Sequence, residues 1–291
     1  MSDLDNSKKI FSYLAPAKVN LCLKIGKRRS DGYHELASII GFTEFGDTIK
    51  IEVSNQDNLL ISGHFSKKMA GDVSENLVAK SIKALRKLNI NFPPLKITID
   101  KQIPIGGGLG GGSSDAATVF LALNDIFKLN MSKTYLENIA IKIGADIPAC
   151  LNRNFVMIRG IGNQVNPLIK PDIPQYVVLA NPNSVAQTKN VFKEFDNNNF
   201  GSSENNIPEN LNIEEFLNSG NDLEKSARKI HPNVGTLLDQ MKRLYPKNKD
   251  SSPLCVQMSG SGASCFALFD DSVSSKKFCQ KIKEAGYWSV S

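Results

Sequence analysis

A glycine-rich run constrains this chain more than any other stretch of its sequence. Residues 103–117 read IPIGGGLGGGSSDAA, with six glycines in fifteen residues, and a helix-like run follows directly. Each glycine costs about 0.5–1 kcal/mol relative to alanine, so packing alone does not explain so many. Their backbone N–H groups can converge on an anion, Ser113 and Ser114 add hydroxyl donors, and Asp115 suits the dipole of the following helix. The run therefore predicts a polyphosphate site.

Known phosphate-binding patterns fit this run only in part. Gly106, Gly108 and Gly111 satisfy G-x-G-x-x-G, but the acidic residue that a dinucleotide-binding fold places about 20 positions later is replaced by Asn130. A Walker-type loop requires G-K-[ST], and no lysine is present here. The glycine loop of protein kinases joins two strands, whereas a helix follows here. The run is best interpreted as an anion hole for a nucleoside triphosphate.

Composition indicates an ordinary globular protein. The 291 residues carry a net charge of +6, with 41% hydrophobic and 22% charged residues. The modest basic excess suits an anionic ligand, and the absence of a basic run argues against nucleic acid as a partner. No signal-peptide core or 18-residue apolar stretch occurs, which predicts a cytoplasmic protein without a membrane partner. Five cysteines without a CxxC pair, and only three histidines, predict reduced thiols and no Cys/His metal site.

Mixed strand and helix patterns predict an α+β fold in two lobes. A period of two over residues 19–25 predicts a strand with one apolar face, while Lys18, Asn20 and Cys22 share the other face. Further strands are predicted at 39–45, 47–53, 95–101, 176–182, 255–258 and 265–269. Helices are predicted at 75–88, 116–127, 133–144, 189–195, 222–230, 233–245 and 274–286.

Loop signals place the predicted boundaries between these elements. Ser74 and Ser132 are predicted to cap the helices that follow them. Residues 166–175 contain three prolines and are predicted to link an N-terminal domain, 1–165, to a C-terminal domain, 166–291. The polar residues 197–206 are predicted to form an exposed loop.

A second glycine turn, MSGSGAS, occupies residues 258–264. Taken alone, it is compatible with a flexible hairpin. Paired with the first run, it is equally compatible with a second wall of a phosphate cleft. The sequence leaves both interpretations open.

Three segments resemble the motifs of the GHMP kinases, a superfamily named for galactokinase, homoserine kinase, mevalonate kinase and phosphomevalonate kinase. APAKVNLCL (15–23) resembles the N-terminal motif, PIGGGLGGGSSDAA (104–117) the phosphate loop, and MSGSGASCFALF (258–269) the C-terminal motif. Within the superfamily, residues 15–40, the doubled glycine triplet and GADIP (144–148) are similar to the kinases that act on a CDP-linked methylerythritol. The resemblance covers nearly the whole chain.

The resemblance implies a fold and a reaction. It implies an N-terminal lobe like domain 2 of ribosomal protein S5, a ferredoxin-like C-terminal lobe, and transfer of the γ-phosphoryl group of ATP to the 2-hydroxyl of CDP-linked methylerythritol, on the non-mevalonate route to isopentenyl diphosphate. Mg²⁺ is expected to arrive with ATP, with its protein ligands unassigned. Lys18 and Asp146 match the catalytic residues. The ATP contacts match Pro104, Ile105, Gly106, Gly107, Gly108, Leu109, Gly110, Gly111, Gly112, Ser113, Ser114, Asn76 and Leu77. The substrate contacts match Asn20, Tyr33, His34, Thr188 and Phe192.

Elementary chemistry is compatible with these roles. A carboxylate such as Asp146 can accept the proton of an alcohol as the phosphoryl group arrives, and Lys18 can keep that carboxylate ionised. Tyr33 offers a face for stacking on a base, and His34 offers a donor and an acceptor for a cytosine edge. The residues alone also allow Lys18 to be a solvated lysine and Asp146 a turn residue. Two alternatives remain: a mevalonate- or homoserine-type small-alcohol kinase, and an inactive nucleotide-binding relative.

Overall fold

The computed structural model describes residues 9–68, 73–169, 173–197, 213–244 and 255–291. The chain divides into two compact units that alternate along the sequence. The first unit comprises residues 1–17, 44–105 and 111–151, and the second comprises residues 18–43, 106–110 and 152–291. The predicted domain boundary between residues 165 and 166 stays a prediction. The predicted polar loop 197–206 lies outside the described residues except for Asn197, which ends a helix.

Strands and helices follow in mixed order, which confirms the predicted α+β class. The strands are β1 (Phe11–Asn20), β2 (Lys24–Arg28), β3 (His34–Val53), β4 (Asn58–Ser62), β5 (Leu95–Asp100), β6 (Val156–Arg159), β7 (Gln164–Pro167), β8 (Tyr176–Asn181), β9 (Cys255–Met258), β10 (Cys265–Phe269) and β11 (Trp288–Val290). The helices are α1 (Leu77–Lys87), α2 (Gly111–Ile126), α3 (Lys133–Ala140), α4 (Ile147–Cys150), α5 (Thr188–Asn197), α6 (Ile213–Asn218), α7 (Glu224–Ile230), α8 (Pro232–Arg243) and α9 (Ser272–Glu284).

The first unit contains helices α1 to α4 and a sheet that includes the C-terminal half of β3. This half pairs with β5 in antiparallel register, and β4 pairs with β5 in parallel. Leu95, Ile97 and Ile99 are buried while the residues between them are partly exposed, because side chains alternate across a strand. Helix α1 packs against α2, and α2 packs against α4. This packing places the N-terminal turn of α2, where the glycine run ends, beside two other helices.

The second unit contains the N-terminal half of β3 and a separate four-stranded sheet. Strands β2 and β6 pair with β3, and β7 pairs with β6. The separate sheet has the order β11-β8-β10-β9, and all of its pairings are antiparallel. Helices α5 to α8 connect β8 to β9, and α9 connects β10 to β11. This order of elements and strands is that of a ferredoxin-like sheet, as the resemblance implied.

Several sequence predictions need correction. The cap of α1 is Asn76, whose side chain accepts from the Val78 N–H, and not Ser74, which lies in the 3-10 turn Val73–Glu75. Ser132 does cap α3, but that helix ends at Ala140 and not at residue 144. The two strands predicted at 39–45 and 47–53 are one long strand, β3. Helix α2 begins at Gly111, five residues before the predicted start, so the last glycines and both serines belong to its first turn.

The first strand also differs from its prediction. Strand β1 ends at Asn20, and a new strand begins at Lys24. Lys18, Asn20 and Cys22 are buried like their apolar neighbours, so both faces of this segment are covered. Strands β4, β6, β7 and β11 and helices α4 and α6 were not predicted, because each is six residues or shorter and carries little periodic signal.

The expectations about membrane-spanning segments and about cysteine pairing can be compared with the described residues only. No described helix combines the length and the apolar character needed to cross a bilayer. The cytoplasmic location stays a prediction. No disulfide joins Cys22, Cys150, Cys265 and Cys279, the four cysteines whose side chains are described, and all four are buried.

Candidate active site

The glycine run adopts backbone conformations and contacts that other residues would not tolerate. Gly106, Gly108 and Gly110 have φ values of +61°, +75° and +62°, in the left-handed region. A Cβ atom at Gly110 would lie 2.9 Å from Cε of Lys18, and one at Gly108 would lie 2.4 Å from the carbonyl oxygen of Ser259. The loop is therefore held by contacts that only glycine permits, and positive φ at alternate positions is typical of anion-binding backbone nests.

The second glycine turn supports the first run directly. Its residues 258–264 are all buried and connect β9 to β10 as a hairpin. The Ser259 hydroxyl donates to the Gly108 carbonyl at 3.0 Å, and the Ser264 N–H donates to the Gly107 carbonyl at 2.9 Å. The turn is thus packed and not a flexible hairpin, and its role as a wall of a phosphate cleft stays a prediction. It is a buried support for the glycine run.

Asn221 fixes this supporting turn, and the sequence analysis missed it. Its side-chain amide donates to the carbonyls of Met258 and Gly260 at 2.8 Å each. One buried amide thereby satisfies two carbonyls that a glycine turn would leave without partners. An isolated asparagine before a helix carries no local signal of such a role.

Lys18 lies beside the glycine run on β1. Its backbone N–H donates to the Leu109 carbonyl at 2.9 Å, and its ammonium donates to Oδ1 of Asn20 at 2.8 Å. The Asn20 amide donates in turn to the Ser38 hydroxyl at 2.8 Å. Lys18 is only 5% exposed. It is a buried, oriented cation and not a solvated edge lysine, and it shares a face with Asn20 as predicted.

The first turn of α2 belongs to the first unit and carries the end of the run. Ser114 is buried and Ser113 half-buried, so Ser113 is the more accessible hydroxyl donor. A Cβ at Gly112 would lie 3.7 Å from Cδ1 of Leu77, and one at Gly144 would lie 3.6 Å from the same atom. Leu77, the first residue of α1, therefore contacts both the start of α2 and the segment that leads into Asp146.

Asp146 precedes α4 as its N-cap residue. Its side chain makes no capping hydrogen bond to that helix, and the residue is half-buried. Pro148 follows within the first turn of α4, where a missing backbone N–H does no harm. The carboxylate therefore lies on the first unit in the loop that the sequence predicted, together with Leu77 and the start of α2.

A buried ionic group lies beneath the first turn of α2, and the sequence analysis did not find it. The Lys101 ammonium binds the carboxylates of Asp47 and Asp115, the latter at 2.7 Å. Asp47 also accepts from the backbone N–H groups of Gln102 and Ile103 at 2.6 and 2.8 Å. This group joins the end of β5, strand β3 and helix α2. We call Lys101, Asp47 and Asp115 the buried triad.

The triad combines two carboxylates with one ammonium out of contact with water. Burial raises the pKa of Asp115 to about 7, although the attraction of Lys101 opposes this. Burial also lowers the pKa of Lys101, but the charges of Asp115 and Asp47 outweigh it and leave that pKa above its ordinary value. Among the residues that the structure describes, Oδ1 of Asp115 has no hydrogen-bond partner. A Cβ at Gly111 would lie 3.2 Å from the Lys101 ammonium, so the triad directly underlies the glycine run.

A cavity of about 820 Å³ in the second unit collects four of the five predicted substrate residues, Tyr33, His34, Thr188 and Phe192. Tyr33 is 63% exposed, and the ring centroids of Phe192 and His34 are 5.9 Å apart. The fifth predicted residue, Asn20, is absent from the lining and bonds to Lys18 instead. The remaining lining residues are Arg28, Asp31, Gly32, Leu36, Ile161, Lys189, Lys193, Asp196 and Asn197.

Local structure explains how this cavity is shaped. Gly32 has a φ of +85° in the turn between β2 and β3. Oδ1 of Asp31 accepts from the Tyr33 N–H at 3.1 Å, and this hydrogen bond holds the pKa of Asp31 below its usual value. Across the cavity, the Thr188 hydroxyl hydrogen-bonds with that of Ser261 at 2.9 Å. The supporting glycine turn and the cavity are therefore connected through one side-chain contact.

The His34 ring does not offer the donor and acceptor that the sequence analysis expected. Nδ1 lies 3.1 Å from the Gly26 carbonyl oxygen, and Nε2 lies 2.8 Å from Oδ1 of Asp196. The His34 side chain is only 4% exposed. Both ring nitrogens of His34 therefore already lie within hydrogen-bond distance of protein oxygens.

Two family models match this chain, one at residues 76–154 and one at residues 193–287. The model for the N-terminal domain of GHMP kinases matches residues 76–154. The model for the C-terminal part of GHMP kinases matches residues 193–287. The first match contains the glycine run, Leu77 and Asp146, and the second contains the supporting glycine turn.

Individual relatives are similar over most of their length. A 4-diphosphocytidyl-2-C-methyl-D-erythritol kinase from Mesorhizobium japonicum is 34% identical, covering 92% of this chain and 90% of the relative. One from Rhizobium meliloti is 32% identical, covering 96% and 93%. A crystal structure of 4-(cytidine 5'-diphospho)-2C-methyl-D-erythritol kinase superposes with a TM-score of 0.75 at 29% identity, covering 96% of this chain and 98% of that one. The chain belongs to the GHMP kinases and, within them, to the 4-diphosphocytidyl-2-C-methyl-D-erythritol kinases.

Proposed function

We propose that this chain transfers the γ-phosphoryl group of ATP to the 2-hydroxyl of 4-diphosphocytidyl-2-C-methyl-D-erythritol. Its family makes it an ATP-dependent phosphotransferase with a small-molecule acceptor. The observation that carries the choice of acceptor is the cavity of the second unit. Residues 33–34 and 188–192 lie far apart in sequence, and both line that cavity.

The nucleoside and diphosphate of this acceptor fit the chemistry of the cavity lining. The exposed ring of Tyr33 and the ring of Phe192 supply apolar faces on which a cytosine base can stack. Arg28, Lys189 and Lys193 place three cations in the lining, against two carboxylates. A basic lining attracts a diphosphate, whereas mevalonate and homoserine offer no base and no diphosphate.

ATP is proposed to bind through residues 104–114. Backbone N–H groups of the glycine run and the Ser113 hydroxyl would donate to the phosphates at the positive end of α2. Leu77 would pack against the nucleoside. Since Oδ1 of Asn76 is used to cap α1, any contact of Asn76 with the base or ribose falls to its amide nitrogen.

Lys18 and Asp146 are proposed as the catalytic residues. Asp146 accepts the proton of the 2-hydroxyl as the phosphoryl group arrives, because a carboxylate within hydrogen-bond reach of an alcohol can act as a general base. Lys18 supplies a fixed positive charge to the transferring phosphoryl group, and Asn20 orients its ammonium. Phosphoryl transfer depends mainly on such positioning and charge stabilisation.

Mg²⁺ is proposed to arrive with ATP and to neutralise charge on its phosphates. Within the described ranges, no three His, Cys, Asp or Glu side chains lie close enough to hold a metal ion together. This fits a cation bound mainly through phosphate oxygens, since Mg²⁺ in such sites needs only one or two carboxylates. We assign it no ligand from this chain.

Release of ADP tests the proposal. The purified protein is expected to release ADP with ATP and the CDP-linked methylerythritol, and to release little with mevalonate or homoserine. Asp146→Asn is expected to keep ATP affinity and lose most turnover. Turnover of mevalonate or homoserine with no turnover of the CDP-linked compound would disprove the proposed acceptor.

A further inference from the structure

The His34 ring is held from two sides. Its Nδ1 lies 3.1 Å from the Gly26 carbonyl oxygen on β2, and its Nε2 lies 2.8 Å from Oδ1 of Asp196 on α5. The side chain is only 4% exposed, so these two protein contacts fix the position of the ring.

Asp196 makes a second contact in the cavity lining. Its Oδ2 lies 3.7 Å from Nη1 of Arg28. Phe192 and Phe195 contact the His34 ring through their own rings. Asp196 is thus the polar partner that α5 supplies to the His34 ring.

This pair ties the two sides of the cavity together. His34 begins β3 directly after Tyr33, and Asp196 lies in the last turn of α5, one turn after Phe192. The ring also reaches back to β2 through the Gly26 carbonyl. A shift of the ring would therefore move Tyr33 relative to Phe192, the two aromatic faces of the cavity.

We propose that Asp196 is a positioning residue for the cytidyl end of the acceptor, acting through the ring of His34. This inference rests on the proposed function. Asp196 holds the ring between β2 and α5, and the ring holds the spacing of Tyr33 and Phe192. Loss of the carboxylate is expected to weaken binding of the acceptor without altering ATP binding.

Binding and kinetics test the positioning role. Asp196→Ala is expected to raise Kd for CDP and KM for the CDP-linked acceptor about tenfold, the lower end of the effect of a hydrogen bond to a charged group. Its kcat and its KM for ATP are expected to stay within about twofold. Asp239→Asn is the control, because it breaks an ion pair with Arg228 on the same unit and Asp239 is absent from the cavity lining.

The outcomes separate the two proposals. Unchanged CDP affinity in Asp196→Ala, or a parallel loss of kcat and ATP affinity, would refute the positioning role. CDP binding that depends on Asp196, in a protein that does not phosphorylate the CDP-linked acceptor, would refute the proposed function and leave the positioning role supported.

Discussion

Replacing Lys101 by methionine removes the only cation of the buried triad. Lys101 is 5% exposed at its side chain, and its two partners, Asp47 and Asp115, are 0% and 2% exposed. Methionine keeps most of the volume but leaves two buried carboxylates without a counter-charge. Removal of one partner of a buried ion pair costs about 3–5 kcal/mol. Since the free energy of unfolding of a domain is about 5–15 kcal/mol, this loss of stability should be measurable by equilibrium unfolding.

The effect should depend on pH. Burial raises the pKa of Asp115 from 3.8 to about 7, so the folded chain holds this proton more tightly than the unfolded chain. The corresponding stability is present in full below about pH 4 and is lost as pH rises to about 7, at most about 4 kcal/mol in total. Lys101→Met should therefore cost more stability at pH 8, where Asp115 tends to ionise, than at pH 5, where Asp115 can stay neutral. Asp115→Asn should flatten the stability profile between these values.

Urea unfolding followed by circular dichroism at pH 5 and pH 8 measures both effects. Lys80→Met is the matched control, because Lys80 pairs with Glu75 on an exposed face and should change stability by less than about 1 kcal/mol. A loss below about 1 kcal/mol for Lys101→Met at pH 8, or the same loss at both pH values, would refute the account of the triad. ATP affinity should fall with stability, since the triad underlies the first turn of α2.

Three further predictions concern the site. Gly108→Ala is expected to destabilise the fold by about 1–3 kcal/mol and to weaken ATP binding in calorimetry, because the φ of Gly108 is +75° and a Cβ there would meet the Ser259 carbonyl. Gly112→Ala is the control for stability, because a Cβ there would make only an ordinary contact with Leu77 and should leave the unfolding midpoint unchanged. Phe192→Ala should raise KM for the CDP-linked acceptor about tenfold with KM for ATP unchanged, and equal changes in both would contradict its place in the cavity. Asp146→Asn should lower kcat by about 10²–10⁴ with ATP Kd unchanged, and undiminished turnover would remove it as the base.

Local features of the fold were predictable from the sequence because they are encoded within a few residues. The period of two predicted β5 and β8, and the apolar run after the glycines predicted α2. Ser132 was identified correctly as a cap, whereas Ser74 was preferred wrongly to Asn76. Both residues are good caps, and the choice between them depends on where a short 3-10 turn ends, which no propensity fixes.

The site was predictable in its parts and not in its connections. The glycine run was identified from the sequence, and the resemblance supplied Tyr33 and His34, Lys18 and Asp146, and the residues of α5. The support of Gly108 by Ser259, the Asn221 amide and the buried triad were not found. Each joins residues far apart in the chain, and the sequence alone holds no geometric restraint on such pairs.

Backbone preferences and motifs are local properties, so the positions of the glycines, the alternation of the strands and the family resemblance could all be inferred from the sequence. The contacts that those residues make depend on the tertiary structure. It showed that the second glycine turn supports the first, that Lys101 lies between two carboxylates, and that both nitrogens of His34 are occupied. Burial and the pairing of charges arise from packing between distant segments, and they determine which of the local groups can act.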